Sequence, residues 1–123
     1  MSDRARGRWA PAAVWATLVL VATSWPNPGL PQAGRVDKVL HALSYGLLGW
    51  LVGRAVPAST RGQLAAAFAG LVAFGALDEW HQGFIPGRAT SGADLLADAV
   101  GALVGLLLYA ARRRRALGAA SAA

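Results

Sequence analysis

DEWHQGFIPGRATSGADLLAD, residues 78–98, holds four of the chain's six carboxylates, one of its two histidines and Arg88. Taken as a loop, it would be an ordinary polar connector, but its spacing says otherwise. Asp78 and Gln82 are four apart and His81 is three from Asp78, so the three project together if a helix persists past Trp80. Glu79 is rotated by about 100° and is expected to face water. Pro86-Gly87 suits the central pair of a type II turn, which returns Arg88 towards the helices. Thr90 or Ser91 then caps a new helix, and Ser91-x-x-Asp94 matches the capping-box pattern. Asp94 and Asp98 lie one turn apart on one face of that helix. The stretch therefore reads as two helix ends joined by a turn.

The flanks decide what kind of helices these are. Residues 62–77 and 99–111 carry no charge; neither do 9–34, and 39–53 carry only His41. The 123 residues are 55% hydrophobic and only 15% charged, where a soluble domain carries about 25%. The pattern predicts one all-α domain over 1–123: a polytopic membrane protein with helices at about 10–25, 38–56, 62–80 and 92–111. A bilayer span takes about 20 residues. The first segment is expected to meet that alone. The other three meet it only if Lys38, Asp78, Asp94 and Asp98 lie at or inside the membrane edge.

Basic residues set the orientation. Four crossings put Arg4, Arg6, Arg8, Arg54, Arg61 and Arg112 to Arg115 on one side, nine in all, against Arg35, Lys38 and Arg88 on the other. Both termini are then cytoplasmic, loops 26–38 and 79–92 are outside, and the expected location is a bacterial inner membrane, multi-pass. The start also resembles a signal peptide with a cleavage site at Ala22-Thr23-Ser24, but Trp25-Pro26 and the long apolar run favour an uncleaved signal anchor. Residues 112–123 are expected to be a basic flank with a disordered end.

Several function classes drop out. The net charge of +6 sits at the ends and in connectors, with no basic face interleaved with aromatics, so nucleic acid is not the expected partner. With no cysteine there is no disulfide framework and no thiolate metal site. His41, Asp78, Glu79, His81 and Asp98 are suitable metal ligands, but no HExxH-like spacing appears and Arg88 and Lys38 already supply positive charge nearby, so neither a metal nor another cofactor is expected. No nucleophile-elbow glycine pattern surrounds Ser44 or Ser91.

What remains is a convergence of polar residues at one end of a bundle. Asp37, His41 and Tyr45 follow at i, i+4 and i+8, with Lys38 and Ser44 beside them. Asp98 lies about 9 Å along its helix from Gly92, the deepest charge in the chain. A charge at that depth normally faces the bundle interior with a partner; Arg88, Lys38 and the histidines are the available ones. Below the cluster, Gly46, Gly49 and Gly53, then Gly70 and Gly75, then Gly101 and Gly105 read as small-residue faces that let helices 2, 3 and 4 approach closely. Trp80 and Phe84 read as interfacial anchors.

Asp37-Lys38-x-x-His41-x-x-x-Tyr45, Asp78-Glu79-x-x-Gln82-x-Phe84-x-Pro86-Gly87-Arg88 and Ser91-x-x-Asp94-x-x-x-Asp98-x-x-Gly101-x-x-x-Gly105 together resemble the VanZ-like family of small bacterial membrane proteins, over about residues 37–109. Many members carry Asn where this chain has Asp98. The family takes its name from a protein associated with resistance to the glycopeptide teicoplanin, and no agreed biochemical activity accompanies it. The resemblance implies a ligand-binding set of Asp37, Lys38, His41, Tyr45, Asp78, Glu79, Gln82, Arg88, Asp94 and Asp98.

The expected function is an extracytoplasmic polar pocket for a cell-envelope component: a lipid phosphate, a cell-wall precursor or a glycopeptide. Arg88 and Lys38 would meet an anion, with Asp78 and Asp98 holding those cations. Two alternatives are acid–base chemistry on an envelope lipid, with His41 as base and Asp98 or Glu79 as partner, and a purely structural ion-pair network. Membrane lipids are expected partners, and a bundle this small is compatible with oligomer formation.

Overall fold

The computed structural model describes residues 3–26, 34–57 and 60–122. Most of the first expected outer loop (27–33) and residues 58–59 of the middle connector lie outside the described residues. Among those described there are four helices and no strand: α1 (Asp3–Thr23), α2 (Arg35–Ala55), α3 (Arg61–Gln82) and α4 (Gly92–Ser121).

Local chemistry explains the boundaries. α3 opens with a capping box, in which Gln63 N donates to Thr60 Oγ1 and Thr60 N to Gln63 Oε1, both at 3.3 Å; two otherwise orphaned amides are satisfied reciprocally. α3 runs on past Trp80 to Gln82. Ile85 to Arg88 then form the expected type II turn: Arg88 N donates to Ile85 O at 3.0 Å, and Gly87 takes a φ of 79° that only glycine adopts without strain. Ser91 Oγ accepts from Asp94 N at 3.2 Å and starts α4.

Two expectations are corrected. α4 does not end at 111 but continues through the arginines to Ser121, because Arg, Ala and Leu are all strong helix formers. Within that extension Arg113 donates to Val56 O at 3.1 Å, and Arg112 stacks 5.7 Å from the Trp50 ring centroid. Second, α4 alone among the described residues is both long and apolar enough to cross a membrane by itself. α1 does not qualify alone, because the helix includes Arg6 and Arg8 and stops at Thr23.

α2 and α4 form the most extensive helix pair, and glycine is the reason. A β-carbon built at Gly49 would fall on the Ala102 carbonyl, one at Gly101 on that of Ala42, and one at Gly105 on that of Gly46. The two backbones thus touch at three points, spread over about two turns of α2. Gly70 is different: nothing lies within 4 Å of its missing side chain, so the expected packing role does not extend to it.

The distribution of polarity is inverted. Val14, Leu18, Val21, Val39, Leu43, Leu77, Leu96, Val100, Leu107 and Leu108 are exposed, whereas Asp78, Glu79, Gln82, Asp94 and Asp98 are buried. A soluble protein almost never buries so many carboxylates while leaving such residues outside.

Candidate functional site

The antiparallel order of the helices brings the end of α1, the start of α2, the end of α3 and the start of α4 together. Asp78 is fully buried, accepting from Thr23 Oγ1 at 2.6 Å and from Tyr45 Oη at 3.1 Å. Asp98, 1% exposed, meets His41 Nδ1 through Oδ1 at 2.9 Å. Asp94 pairs with Lys38 Nζ at 2.6 Å, a bridge whose lysine side chain is 38% exposed and whose aspartate is buried. Each contact joins different helices, so each carboxylate fixes the bundle as well as lining it.

Glu79 corrects the sequence reading. It is buried rather than facing water, and its Oε2 accepts from Ser91 N at 2.9 Å. The expected capping box is therefore split: Ser91 caps Asp94 N, while the carboxylate that receives Ser91 N comes from α3. Asp94 is free to bind Lys38 as a result. His81 is exposed and stands outside the cluster. Asp37 is half-buried at its margin.

Arg88 also differs from expectation. Its guanidinium donates to Trp25 O at 3.0 Å, Ala22 O at 3.1 Å and Gln82 Oε1 at 3.4 Å. It therefore closes the carbonyl end of α1 rather than pairing with Asp78 or Asp98. Thr23 joins the cluster through Asp78 without any signal in the sequence, since one threonine at the end of an apolar run does not announce a partner on α3.

Three buried polar atoms have no hydrogen-bond partner among the described residues: Glu79 Oε1, Gln82 Nε2 and Asp98 Oδ2. Buried polar atoms are nearly always paired. These three lie on α3 and α4 within one polar cluster, where they leave two acceptors and one donor unspent.

A family model described as VanZ/LLP1 matches residues 6–113. The chain belongs to the VanZ-like family. The match takes in α1 as well as the segment from residue 37, so the helix that supplies Thr23 is part of the family unit. No curated protein and no solved structure matches this VanZ-like chain significantly. At the other end of the bundle a cleft of about 600 Å³ opens between α1, α2 and α3, walled by residues such as Ala12, Leu48, Val52, Leu71 and Phe74. Those walls are nearly all apolar, so in this VanZ-like bundle the polar chemistry belongs to the cluster.

Proposed function

We propose that the chain is a four-span inner-membrane protein whose polar cluster binds the polar head of a cell-envelope component from the outer face. Inverted polarity supports the membrane setting. Helix length supports four crossings: 21 residues in α1 and α2 and 22 in α3 give rises of about 31–33 Å, against a hydrocarbon core of about 30 Å. The nine-to-three distribution of basic residues supports inward termini and an outward-facing cluster.

One observation carries the binding reading, namely the unspent valences of Glu79, Gln82 and Asp98. An unpaired buried polar group costs about 1–3 kcal/mol, and a ligand that pairs with it recovers that cost. Lys38, whose side chain is 38% exposed, and His41, at 11%, stand on the accessible side of the cluster. The head is drawn from lipid phosphates, cell-wall precursors and glycopeptides, whose shared chemistry is a hydroxyl-, amine- or phosphate-rich group attached to an apolar or wall-bound body. Arg88 does not grip it in this reading; it positions α1 against Gln82. Native mass spectrometry of protein released from its own membranes tests the proposal. A co-purifying envelope molecule is expected with wild type and depleted with Gln82→Leu, and identical spectra from both would reject it.

The His41–Asp98 contact favours one second reading, in which the pair acts as a general base oriented by a carboxylate. His41→Gln would then abolish turnover of a bound envelope lipid while leaving its binding intact.

A further inference from the structure

We propose that His41, Glu79 and Asp98 form a site for one divalent transition-metal cation. The residues come from α2, α3 and α4, and each brings a ligand atom to within 4.8 Å of the other two. Because three separate helices contribute one ligand each, no linear spacing in the sequence announces the set.

One pair of ligand atoms already stands at metal-ligand spacing, and the third lies within reach. Ligands about 2.1 Å from a metal lie about 3 Å apart when at right angles and about 4.2 Å apart when opposite. His41 Nδ1 and Asp98 Oδ1 already stand 2.9 Å apart. Glu79 completes the set from α3, with Oε2 anchored on Ser91 N and Oε1 unspent. That anchoring is what metal-binding carboxylates usually receive from their surroundings.

The unspent atoms are the second, independent observation. Glu79 is 6% exposed and Asp98 1%, yet Glu79 Oε1 and Asp98 Oδ2 have no partner among the described residues. Two buried carboxylate oxygens without a donor are costly, and one cation would satisfy both. Charge points the same way. Asp78, Glu79, Asp94 and Asp98 are all buried, and the cations paired with them in the cluster are Lys38 and, when protonated, His41. Asp37, His41 and Asp94 also group within ligand range, but the Lys38 ammonium already supplies a positive charge at Asp94, and the buried unspent oxygens belong to Glu79 and Asp98.

The donor chemistry selects the metal class. One imidazole with two carboxylates suits Zn²⁺ or Mn²⁺, whereas Mg²⁺ and Ca²⁺ prefer oxygen alone. This deepens the proposed function and rests on the same cluster: a cation takes up the two carboxylate oxygens, and an anionic head then meets the cation and the unspent Gln82 Nε2.

Zinc titration of tag-free, chelator-treated protein in detergent tests the inference without any envelope ligand, so its failure is separate from failure of the binding proposal. One equivalent of Zn²⁺ is expected to bind and to raise the thermal midpoint of wild type, with no such rise from Mg²⁺. Glu79→Gln and Asp98→Asn should each weaken affinity tenfold or more, and His81→Gln should leave it unchanged. X-ray absorption of the zinc-loaded wild type should show one imidazole with oxygen ligands, a readout independent of whether any variant folds. Absence of saturable binding, loss of binding in His81→Gln, full binding in Glu79→Gln, or a spectrum without imidazole would each overturn the site.

Discussion

Replacing Gly105 with alanine tests the packing that brings the site together. The added methyl would fall on the Gly46 carbonyl and lie 2.8 Å from Trp50 N. Both obstacles are backbone, so no side chain can swing aside and α2 and α4 must separate. Overpacking costs about 1–3 kcal/mol, and a backbone obstacle places this site at the upper end. Alanine's better helix propensity returns about 1 kcal/mol, leaving a net loss of about 2 kcal/mol. Gly70→Ala is the matched control: nothing lies within 4 Å of its side-chain position, so only the propensity gain, up to about 1 kcal/mol, remains. Reversible unfolding in mixed micelles by sodium dodecyl sulfate, followed by circular dichroism, measures both. Gly105→Ala should fall below wild type and Gly70→Ala should equal or exceed it. Equal stability of the two variants would refute the close α2–α4 approach. Since His41 and Asp98 sit on the same two helices, Gly105→Ala should also weaken zinc binding.

Thr23→Val removes the 2.6 Å bond to fully buried Asp78 and is expected to cost about 1–3 kcal/mol in the same unfolding assay. Combined with Tyr45→Phe, it should show a coupling above about 0.5 kcal/mol, because both donors serve one carboxylate; strict additivity would contradict that. Arg88→Lys should raise hydrogen exchange over residues 20–25, since an ammonium lacks the planar fork that spans the carbonyls of Ala22 and Trp25. Unchanged protection there would mean that α1 is held by other contacts. Ser91→Ala should cost about 1 kcal/mol through loss of the α4 cap, read as a lower unfolding midpoint, while Glu79 keeps its backbone partner.

Features that depend on neighbours in sequence were legible. The capping serine, the Pro86-Gly87 turn and the charge-free runs fix where α3 ends and α4 begins. The i, i+4 spacing groups His41 with Tyr45 and Asp94 with Asp98. Features that depend on how helices meet were not. Glu79 lies about 100° from Asp78 on α3 and reads as solvent-facing. It is buried because the start of α4 crosses that flank and presents Ser91 N. Arg88 stands among four acids in sequence, yet the nearest acceptors in space are the carbonyls closing α1. Glycine spacing looks alike on α2, α3 and α4, but backbone contact occurs where α2 meets α4 and is absent at Gly70. The zinc ligands are three single residues, each without a signature of its own.

The proposed function requires the acid-lined cluster to sit at the outer face of a four-span membrane bundle. With no native cysteine, single cysteines at Ala89 and Gly62 report it directly. Ala89 is exposed beside the cluster, and Gly62 is exposed at the start of α3, at the opposite end of that helix. An impermeant maleimide applied to intact spheroplasts should label Ala89→Cys, and should reach Gly62→Cys only after permeabilisation. Labelling of Gly62→Cys but not Ala89→Cys in intact spheroplasts would turn the bundle over and contradict an outward-facing site.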